Sequence, residues 1–573
     1  MTGRTIRAVA VVLAIVLAGC EAATASPSPQ PTASPVATQP PSPTPLACAS
    51  GGTDGPAAGD LPWWSDRVFY EVFVRSFADS DGDGVGDLRG LTDRLDYLND
   101  GDPATTEDLG VTGIWLMPVA EAASYHGYDV VDYEAIERDY GTTEDFSAFL
   151  AAAHERGIAV IVDFVINHTS IEHPWFEASR TGDETYADWY VWSAEHGGFG
   201  GPGGRQVWHQ DGDRFYYAYF WEGMPDLDLS NPEVTEEINR ISRYWLEDLG
   251  IDGYRLDAAR HLIEDGEQLE NTPATRAWLN AFRADAHALN DEALVLGEVW
   301  DATSNSARYV RDGSLDLAFE FGLASAFVSA VRFSDPASLA LIQAEVSAAY
   351  PPGGYAAFLT NHDQDRVFDQ VGRDVDAAKA AATLLLTSAG VPFVYYGEEV
   401  GLRGRKPDER IRTPMPWTAR LPGVGFTSGE PWQAPADGSD TANVAGQTAD
   451  PTSLLAHYRR LITLRSQSDA LRFGEVVPVG SETDGIYAIL RHAAGETVAV
   501  VVNLGDEPAS GPTLSLAAGP LCGEPAVTML DAAAGRAASA VEAPTVNATG
   551  GFDAWQPVPS LGPRESLVLR IDR

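Results

Sequence analysis

Basic side chains are scarce in this chain of 573 residues. Lys and Arg number 38 against 83 Asp and Glu, which gives a formal net charge of -45 at pH 7. Nucleic acids and anionic lipid surfaces are bound through a basic face. The composition therefore excludes nucleic acid as a partner, and we expect most of the acidic side chains on a solvated surface.

Cysteine is rarer still, with three residues in the whole chain. The sequence has no Cys/His spacing typical of a zinc site and no Gly-rich phosphate loop after a strand, which argues against zinc and nucleotide sites. Cys48 and Cys522 lie near opposite ends of the chain. In an oxidising compartment a disulfide bond between them is expected. Two unrelated buried thiols are the alternative that the sequence leaves open.

The N-terminal apolar run, Ala8 to Ala18, is too short to span a bilayer, but it follows two arginines as the core of a secretory signal does. It ends in Leu-Ala-Gly-Cys at Cys20, which resembles the lipobox of bacterial lipoproteins. This resemblance implies a signal peptide over 1–20, lipidation of Cys20 and an extracytoplasmic protein held at the membrane by its lipid alone. Ordinary cleavage nearby is the alternative. Residues 21–60 are rich in Pro, Ser and Thr and are predicted to form an extended tether.

From Trp63 onward, short apolar runs alternate with longer amphipathic stretches. Several of the runs are continuously apolar, as parallel strands covered on both faces are. Eight strands alternating with helices predict an α/β fold, a (β/α)₈ barrel. The predicted strands are Val68–Val74, Gly113–Pro118, Ala159–Val165, Gly253–Asp257, Leu294–Glu298, Leu317–Phe321, Ala356–Asn361 and Phe393–Tyr396.

Two regions depart from this repeat. Residues 168–226 separate the third strand from the next barrel helix, and a connection that long predicts a small inserted domain. After 470 the pattern changes to short strands bounded by Gly, Pro and Asp, which predicts an antiparallel β-sandwich over 471–573. The barrel would then occupy 61–167 and 227–470.

Three acidic residues follow predicted barrel strands at their C-terminal ends, where this fold carries its reactive groups. They are Asp257, Glu298 and Asp363. Hydrolysis of an acetal needs an acid for the leaving oxygen and a carboxylate at the oxocarbenium-like centre. A single acid at a strand end often only caps a helix, but three of them converging on one mouth suggest catalysis.

Four stretches around these acids resemble the signature regions of the α-amylase family, glycoside hydrolase family 13. They occur in the family's order, one for each expected strand. The resemblance extends from about Trp63 to the C-terminus. The stretches are DFVINH at 163–168, GYRLDAARH at 253–261, GEVW at 297–300 and FLTNHD at 358–363.

The resemblance implies a role for each matching residue. Asp257 would be the nucleophile, Glu298 the general acid and then base, and Asp363 the group that binds the distorted sugar. Arg255 would hydrogen-bond the nucleophile. The remaining matches are implied substrate contacts: His168, His362, Arg260 in the second motif, and Tyr128 with His126 in the loop after the second strand.

Two further matches concern specificity. MPDLD at 224–228 is similar to the fifth region of a subgroup intermediate between oligo-1,6-glucosidases and neopullulanases, although Asp228 replaces the usual Asn. Asp129 and Arg412 match positions that pair in oligo-1,6-glucosidases to close the pocket around a non-reducing end. Endo and exo action both stay open.

The loop after the first strand has the pattern of a calcium site. Asp79, Asp81, Asp83 and Asp87 alternate around a Gly turn, with the carbonyl of Val85 between them. Calcium prefers such hard oxygen ligands. Calcium also occurs in this loop in oligo-1,6-glucosidase-like enzymes, and a merely polar loop is the alternative.

A second calcium site is implied by the resemblance alone. Asn167, Asp226 and the backbone of His261 match the ligands of a structural ion between barrel and inserted domain, which some relatives lack.

The sequence therefore predicts a monomeric, retaining α-amylase-like hydrolase of α-1,4-glucosidic bonds in α-glucans. An α-glucosidase or oligo-1,6-glucosidase and a glucanotransferase are the enzymatic alternatives. The alternative outside the enzymes is a non-catalytic glucan-binding surface protein. Such a protein should lack one of the three acids, and all three are present.

Overall fold

The computed structural model describes residues 61–197, 199–201, 204–493, 495–532 and 541–572. The predicted signal peptide, tether and lipidation site, Cys20, lie outside the described residues and stay predictions. Cys522 is disulfide-bonded. Its predicted partner, Cys48, also lies outside the described residues, so the pairing stays a prediction. Within the described ranges no helix combines the length and apolar character needed to cross a membrane.

Eight parallel strands close into a barrel in which each strand pairs with the next along the chain and the last pairs with the first. This confirms the predicted (β/α)₈ fold. The strands are β1 (Phe69–Val72), β2 (Gly113–Leu116), β3 (Ala159–Phe164), β4 (Gly253–Leu256), β5 (Leu294–Gly297), β6 (Leu317–Phe319), β7 (Tyr355–Ala357) and β8 (Val391–Tyr395).

Large side chains fill the barrel interior. Phe69 and Phe393 stack with their ring centroids 4.6 Å apart, and Trp115 and Phe319 pack beside them. Alternate residues of the same strands face the helices, and burial of each large apolar side chain contributes roughly 1.5–3 kcal/mol. Each predicted strand overlaps the observed one, but the limits differ at one or both ends, and most at β7. β7 ends at Ala357, and β8 includes Pro392, which has no N–H to donate.

Helices cover the outside of the barrel. The predicted helix from Asn231 is an example: the Asn231 side chain accepts from the amide of Glu233, and Pro232 occupies the first turn. Its last turns are π-helical, and Gly250 ends it in a left-handed conformation. The helices between strands are Val74–Phe77, Leu88–Thr92, Leu95–Leu98, Thr143–Glu155, Pro232–Arg243, Tyr244–Leu249, Pro273–Leu289, Thr303–Arg311, Phe321–Phe333, Pro336–Ala349, Val367–Gln370 and Val375–Thr387. After β8 come Glu398–Val400, Asp408–Ile411, Val444–Thr448, Leu454–Ser466 and Asp469–Phe473.

The long connection after β3 has its own structure. Helix Pro174–Thr181 precedes a three-stranded antiparallel sheet made of Trp192–Ser193, Arg214–Tyr217 and Trp208–Asp211. An aromatic cluster packs on this sheet, and a backbone bridge between His168 and Asp226 ties its two ends together. A second insertion, the hairpin Ala120–Ala122 and Val130–Ile136, follows β2. Both insertions emerge at the C-terminal end of the barrel strands.

The C-terminal strands form an antiparallel domain, as predicted. Seven strands pair in one sheet, and Ala509–Ser510 pairs separately with Ser560–Leu561. A core that includes Leu490, Leu569 and Trp555 is separate from the barrel core. In sheet order the seven strands are Ala526–Ala532, Ser566–Asp572, Glu496–Asn503, Ile486–Ala493, Glu475–Ser481, Leu514–Leu516 and Phe552–Trp555.

Candidate active site

The three predicted catalytic acids line one cavity at the mouth of the barrel. Asp257 directly follows β4, Glu298 directly follows β5, and Asp363 lies in the loop after β7. The cavity has a volume of about 680 Å³. Since parallel strands end at the same edge of a barrel, side chains distant in sequence meet there.

Arg255 joins the acids of the site. It is fully buried on β4, two residues before Asp257, and the two side chains therefore share a strand face. Its Nη1 donates to Asp257 Oδ1 at 2.7 Å and to Asp163 Oδ1 at 2.8 Å, and its Nη2 donates to Glu298 Oε2 at 2.5 Å. The two terminal nitrogens of one guanidinium group thus make Asp257 and Glu298 neighbours.

Glu298 has the environment of a general acid. Burial raises the pKa of its carboxyl group to about 8, against the opposing effect of the Arg255 charge. The nearby carboxylates of Asp257 and Asp363 contribute to this increase, because they disfavour another negative charge. Glu298 is therefore protonated at neutral pH and can donate a proton.

Asp363 has the opposite character. Burial alone would raise the pKa of its carboxyl group, but His362 and Arg412 outweigh burial and lower it to about 2. Arg412 Nη2 donates to Asp363 Oδ1 at 3.0 Å and to Asp408 Oδ2 at 3.3 Å. Asp363 is therefore a carboxylate at neutral pH.

Tyr128 contacts Asp163 and His362 in the same site. Its hydroxyl donates to Asp163 Oδ2 at 2.9 Å and is 2.7 Å from His362 Nε2, and its ring stacks on the His362 ring. His168 Nε2 lies 3.1 Å from the Tyr128 carbonyl, and His126 Nδ1 accepts from the Tyr128 amide. Tyr128, His126 and His168 line the cavity. His362 is fully buried beneath Tyr128.

One predicted pair does not form. Arg412 bonds Asp363 and Asp408 rather than Asp129, whose carboxylate accepts instead from the amide and hydroxyl of Ser124. Asp129 is buried, and it is not among the residues that line the cavity. Its side chain therefore stabilises the turn that carries Tyr128.

Arg260 is placed as predicted, on the cavity wall. Its Nη1 lies 3.4 Å from Glu270 Oε2 and 3.7 Å from Asp301 Oδ2, and its Nε contacts His261 Nε2 at 3.1 Å.

Several site residues were not singled out from the sequence. Asp163 begins the first signature stretch, and its position before a motif Asn could have marked it. Glu71 is a single acid inside the apolar run of β1, a signal that a buried partner must exist. Trp300 ends the signature stretch at 297–300, but the resemblance assigned it no role. Nothing in the sequence marked Trp221, Lys406 or Asp408, which also line the cavity.

The Asp-rich loop brings three of its carboxylates together. Asp79, Asp81 and Asp87 each offer an oxygen within 4.8 Å of the others. Asp83 is not part of this group, and its Oδ1 accepts from the Val85 amide at 2.8 Å. Three carboxylates at this spacing fit a hard divalent cation such as calcium, and the contribution of the Val85 carbonyl stays a prediction.

The second predicted calcium position also has suitable oxygens. Asn167 Oδ1 is buried without a hydrogen-bond partner, and Asn167 Nδ2 donates to Asp226 Oδ2 at 3.0 Å. Burial and the neighbouring Glu264 raise the pKa of Asp226, and burial raises that of Glu264 to about 7. Buried carboxyl groups beside a free amide oxygen fit a cation. The sequence did not indicate Glu264, and the part played by the His261 backbone stays a prediction.

Comparison with known proteins agrees with this geometry. The family model described as "Alpha amylase, catalytic domain" matches residues 71–474. Alpha-amylase 3 of Dictyoglomus thermophilum is 38% identical over 455 residues, which cover 77% of this chain and 85% of that protein. The oligo-1,6-glucosidase of Parageobacillus thermoglucosidasius is 30% identical over 524 residues, with coverages of 78% and 91%.

Among solved structures, the crystal structure of an α-amylase from H. orenii superimposes with a TM-score of 0.76 at 37% sequence identity. The match covers 88% of this chain and 99% of that one. The family model spans the barrel, the inserted domain and all three catalytic acids. The chain belongs to the α-amylase family, glycoside hydrolase family 13, and is a glycosidase.

Proposed function

We propose that this enzyme hydrolyses α-1,4-glucosidic bonds in starch-type glucans with retention of anomeric configuration. The observation that carries the proposal is the Arg255 guanidinium, which holds Asp257 and Glu298 side by side on the cavity wall. Retaining glycosidases need two neighbouring carboxyl groups, one protonated and one ionised. The raised pKa of Glu298 supplies the protonated one.

The groups of the site then have distinct tasks. The Asp257 carboxylate attacks the anomeric carbon, and Glu298 gives its proton to the glycosidic oxygen as the bond between that oxygen and the carbon breaks. Glu298, now ionised, takes a proton from water, which attacks the same carbon and releases Asp257. Asp363, ionised beside Arg412, binds sugar hydroxyls and stabilises the positive charge of the transition state.

The cavity walls suit a chain of sugar rings. Trp221 of the inserted domain and Trp300 after β5 both line the cavity with about half of their surface exposed, 50% and 46%. Trp300 is held flat against Phe321, with ring centroids 4.6 Å apart. Exposed aromatic faces on two sides of a cavity favour binding of an oligosaccharide over a single sugar.

Product analysis tests this function. On starch and maltoheptaose we expect a series of maltooligosaccharides. Glucose as the sole product would identify an α-glucosidase, and products longer than the substrate would identify a transferase. Activity confined to the α-1,6 bonds of pullulan would contradict the α-1,4 assignment.

Amide variants test the assignment of the acids. Glu298→Gln is expected to lower kcat by at least about 10³-fold, since it removes the general acid. Glu292→Gln is the matched control, because Glu292 is an exposed residue just before the same strand. Near-normal activity of Glu298→Gln on starch would refute the assignment.

We also propose calcium in the Asp79 loop and beside Asn167. The clustered carboxylates of the loop and the unpartnered buried amide oxygen of Asn167 support the two positions. Neither position includes a catalytic carboxyl group, so calcium would stabilise the loop and the junction with the inserted domain rather than take part in bond cleavage.

A further inference from the structure

Glu71 is a buried acid at the base of the active site with an unusual partner. It lies on β1 with 2% of its surface exposed, and its Oε1 is 2.6 Å from His362 Nδ1 and 3.3 Å from the His362 amide. The charged groups around it are Arg255, Asp363 and Arg366. Among the described residues, His362 is the only basic group that forms an ion pair with Glu71.

The opposite side of the His362 ring requires a hydrogen on Nε2. Nε2 lies 2.7 Å from the Tyr128 hydroxyl oxygen and 3.4 Å from Asp363 Oδ2. The single hydrogen of Tyr128 is directed to Asp163 Oδ2, and Asp363 is a carboxylate that only accepts. Nε2 therefore donates its hydrogen to the Tyr128 oxygen, and the same N–H lies next to the Asp363 carboxylate.

A hydrogen on Nε2 implies that a proton also lies between His362 Nδ1 and Glu71. If Nε2 keeps its hydrogen, a neutral ring has a bare Nδ1, and the short contact needs a proton from Glu71. Burial raises the pKa of Glu71 well above its ordinary value and lowers that of His362, so both groups favour a proton on the carboxyl group. Whether the proton between them is bonded to Glu71 or to Nδ1, His362 Nε2 carries a hydrogen of its own.

We propose that Glu71 is a positioning residue for the proposed reaction: it fixes His362 in the form with hydrogen on Nε2. That hydrogen keeps the Tyr128 hydroxyl turned toward Asp163, which shares Arg255 with both catalytic carboxyl groups. It also faces Asp363. Glu71 thus orients Tyr128 and Asp363 through His362, without contacting the substrate itself. The inference depends on the proposed function for its kinetic test.

Glu71→Gln separates this role from simple packing. The amide has nearly the same shape, but the backbone N–H of His362 directs its oxygen toward the ring, where it accepts from an Nδ1–H. His362 then has a bare Nε2, which takes the Tyr128 hydrogen from Asp163 and points a lone pair at Asp363. We expect kcat to fall on the order of 10- to 100-fold, with a much smaller change in KM.

The control is Glu398→Gln. Glu398, like Glu71, is a buried acid. Its carboxyl group accepts from Tyr458, and it has no contact with His362. We expect this variant to keep its kcat. A double-mutant cycle with His362→Leu completes the test, because the Glu71→Gln loss should largely vanish once His362 is absent.

Three results would overturn the proposal: a kcat for Glu71→Gln within twofold of the natural enzyme, an equal loss in the control, or additive losses in the cycle. If Glu71→Gln does not fold, the imidazole ¹⁵N signals of the unaltered protein decide. We expect a hydrogen on His362 Nε2, and a bare Nε2 would refute the assignment. Absence of any glucan hydrolysis by the natural enzyme would instead refute the proposed function, and the ¹⁵N measurement would still stand.

Discussion

At the scale of single residues, the site depends on one buried cation. Arg255 has no exposed surface and contacts the carboxyl groups of Asp163, Asp257 and Glu298. A buried charge is costly unless it is paired, and the loss of one partner leaves the others uncompensated. Arg255 therefore holds the Asp257 carboxyl group in place for attack, while burial raises the pKa of Glu298 and favours its protonated form.

The pH dependence of the reaction follows from these charge states. Glu298 must be protonated for the first step, and its pKa is raised to about 8 by burial. We expect kcat/KM to fall as the pH rises through about 8, because the acid loses its proton. Burial lowers the pKa of His168 and His362, so these rings are neutral there and do not contribute to the fall. A kcat/KM on maltotriose that stays constant well beyond pH 8 would contradict this.

At the scale of elements, strand ends were predictable and loop contacts were not. Asp257 and Glu298 follow continuous apolar runs, and the closed barrel fixes where such residues meet. Lys406 lies in a loop after β8 and Asp408 begins the short helix that follows, and the path of this segment depends on packing rather than on local pattern. Asp129 and Arg412, which match positions that pair in oligo-1,6-glucosidases, do not bond each other here for the same reason, because Ser124 in the neighbouring turn bonds Asp129 instead.

The Asp79 loop gives a prediction at this scale. Its clustered carboxylates repel one another, and a cation bound only in the folded state would stabilise that state. We expect excess chelator to lower the melting temperature and calcium to restore it. Asp81→Asn should reduce the shift, whereas Asp83→Asn, outside the cluster, should leave it unchanged. Identical melting curves with and without chelator would exclude calcium at both proposed positions.

At the scale of the whole molecule, the alternation of strands and helices was sufficient to predict the barrel, the inserted domain and an antiparallel C-terminal domain. The pairing order of the C-terminal strands was not predictable, because it joins segments as distant as Glu496–Asn503 and Ser566–Asp572. The proton arrangement around Glu71 was also hidden, since it depends on β1 and the loop after β7 approaching within hydrogen-bond distance.

The proposed mechanism requires Asp257 and Glu298 to act together on one glycosidic bond. The most direct measurement incubates Glu298→Gln with α-glucosyl fluoride, whose leaving group needs no acid, and locates any attached sugar by peptide mass spectrometry. Without the base that activates water, the covalent intermediate should accumulate. We expect one glucosyl group on Asp257. An unlabelled protein that still releases fluoride, or a label on another residue, would contradict it.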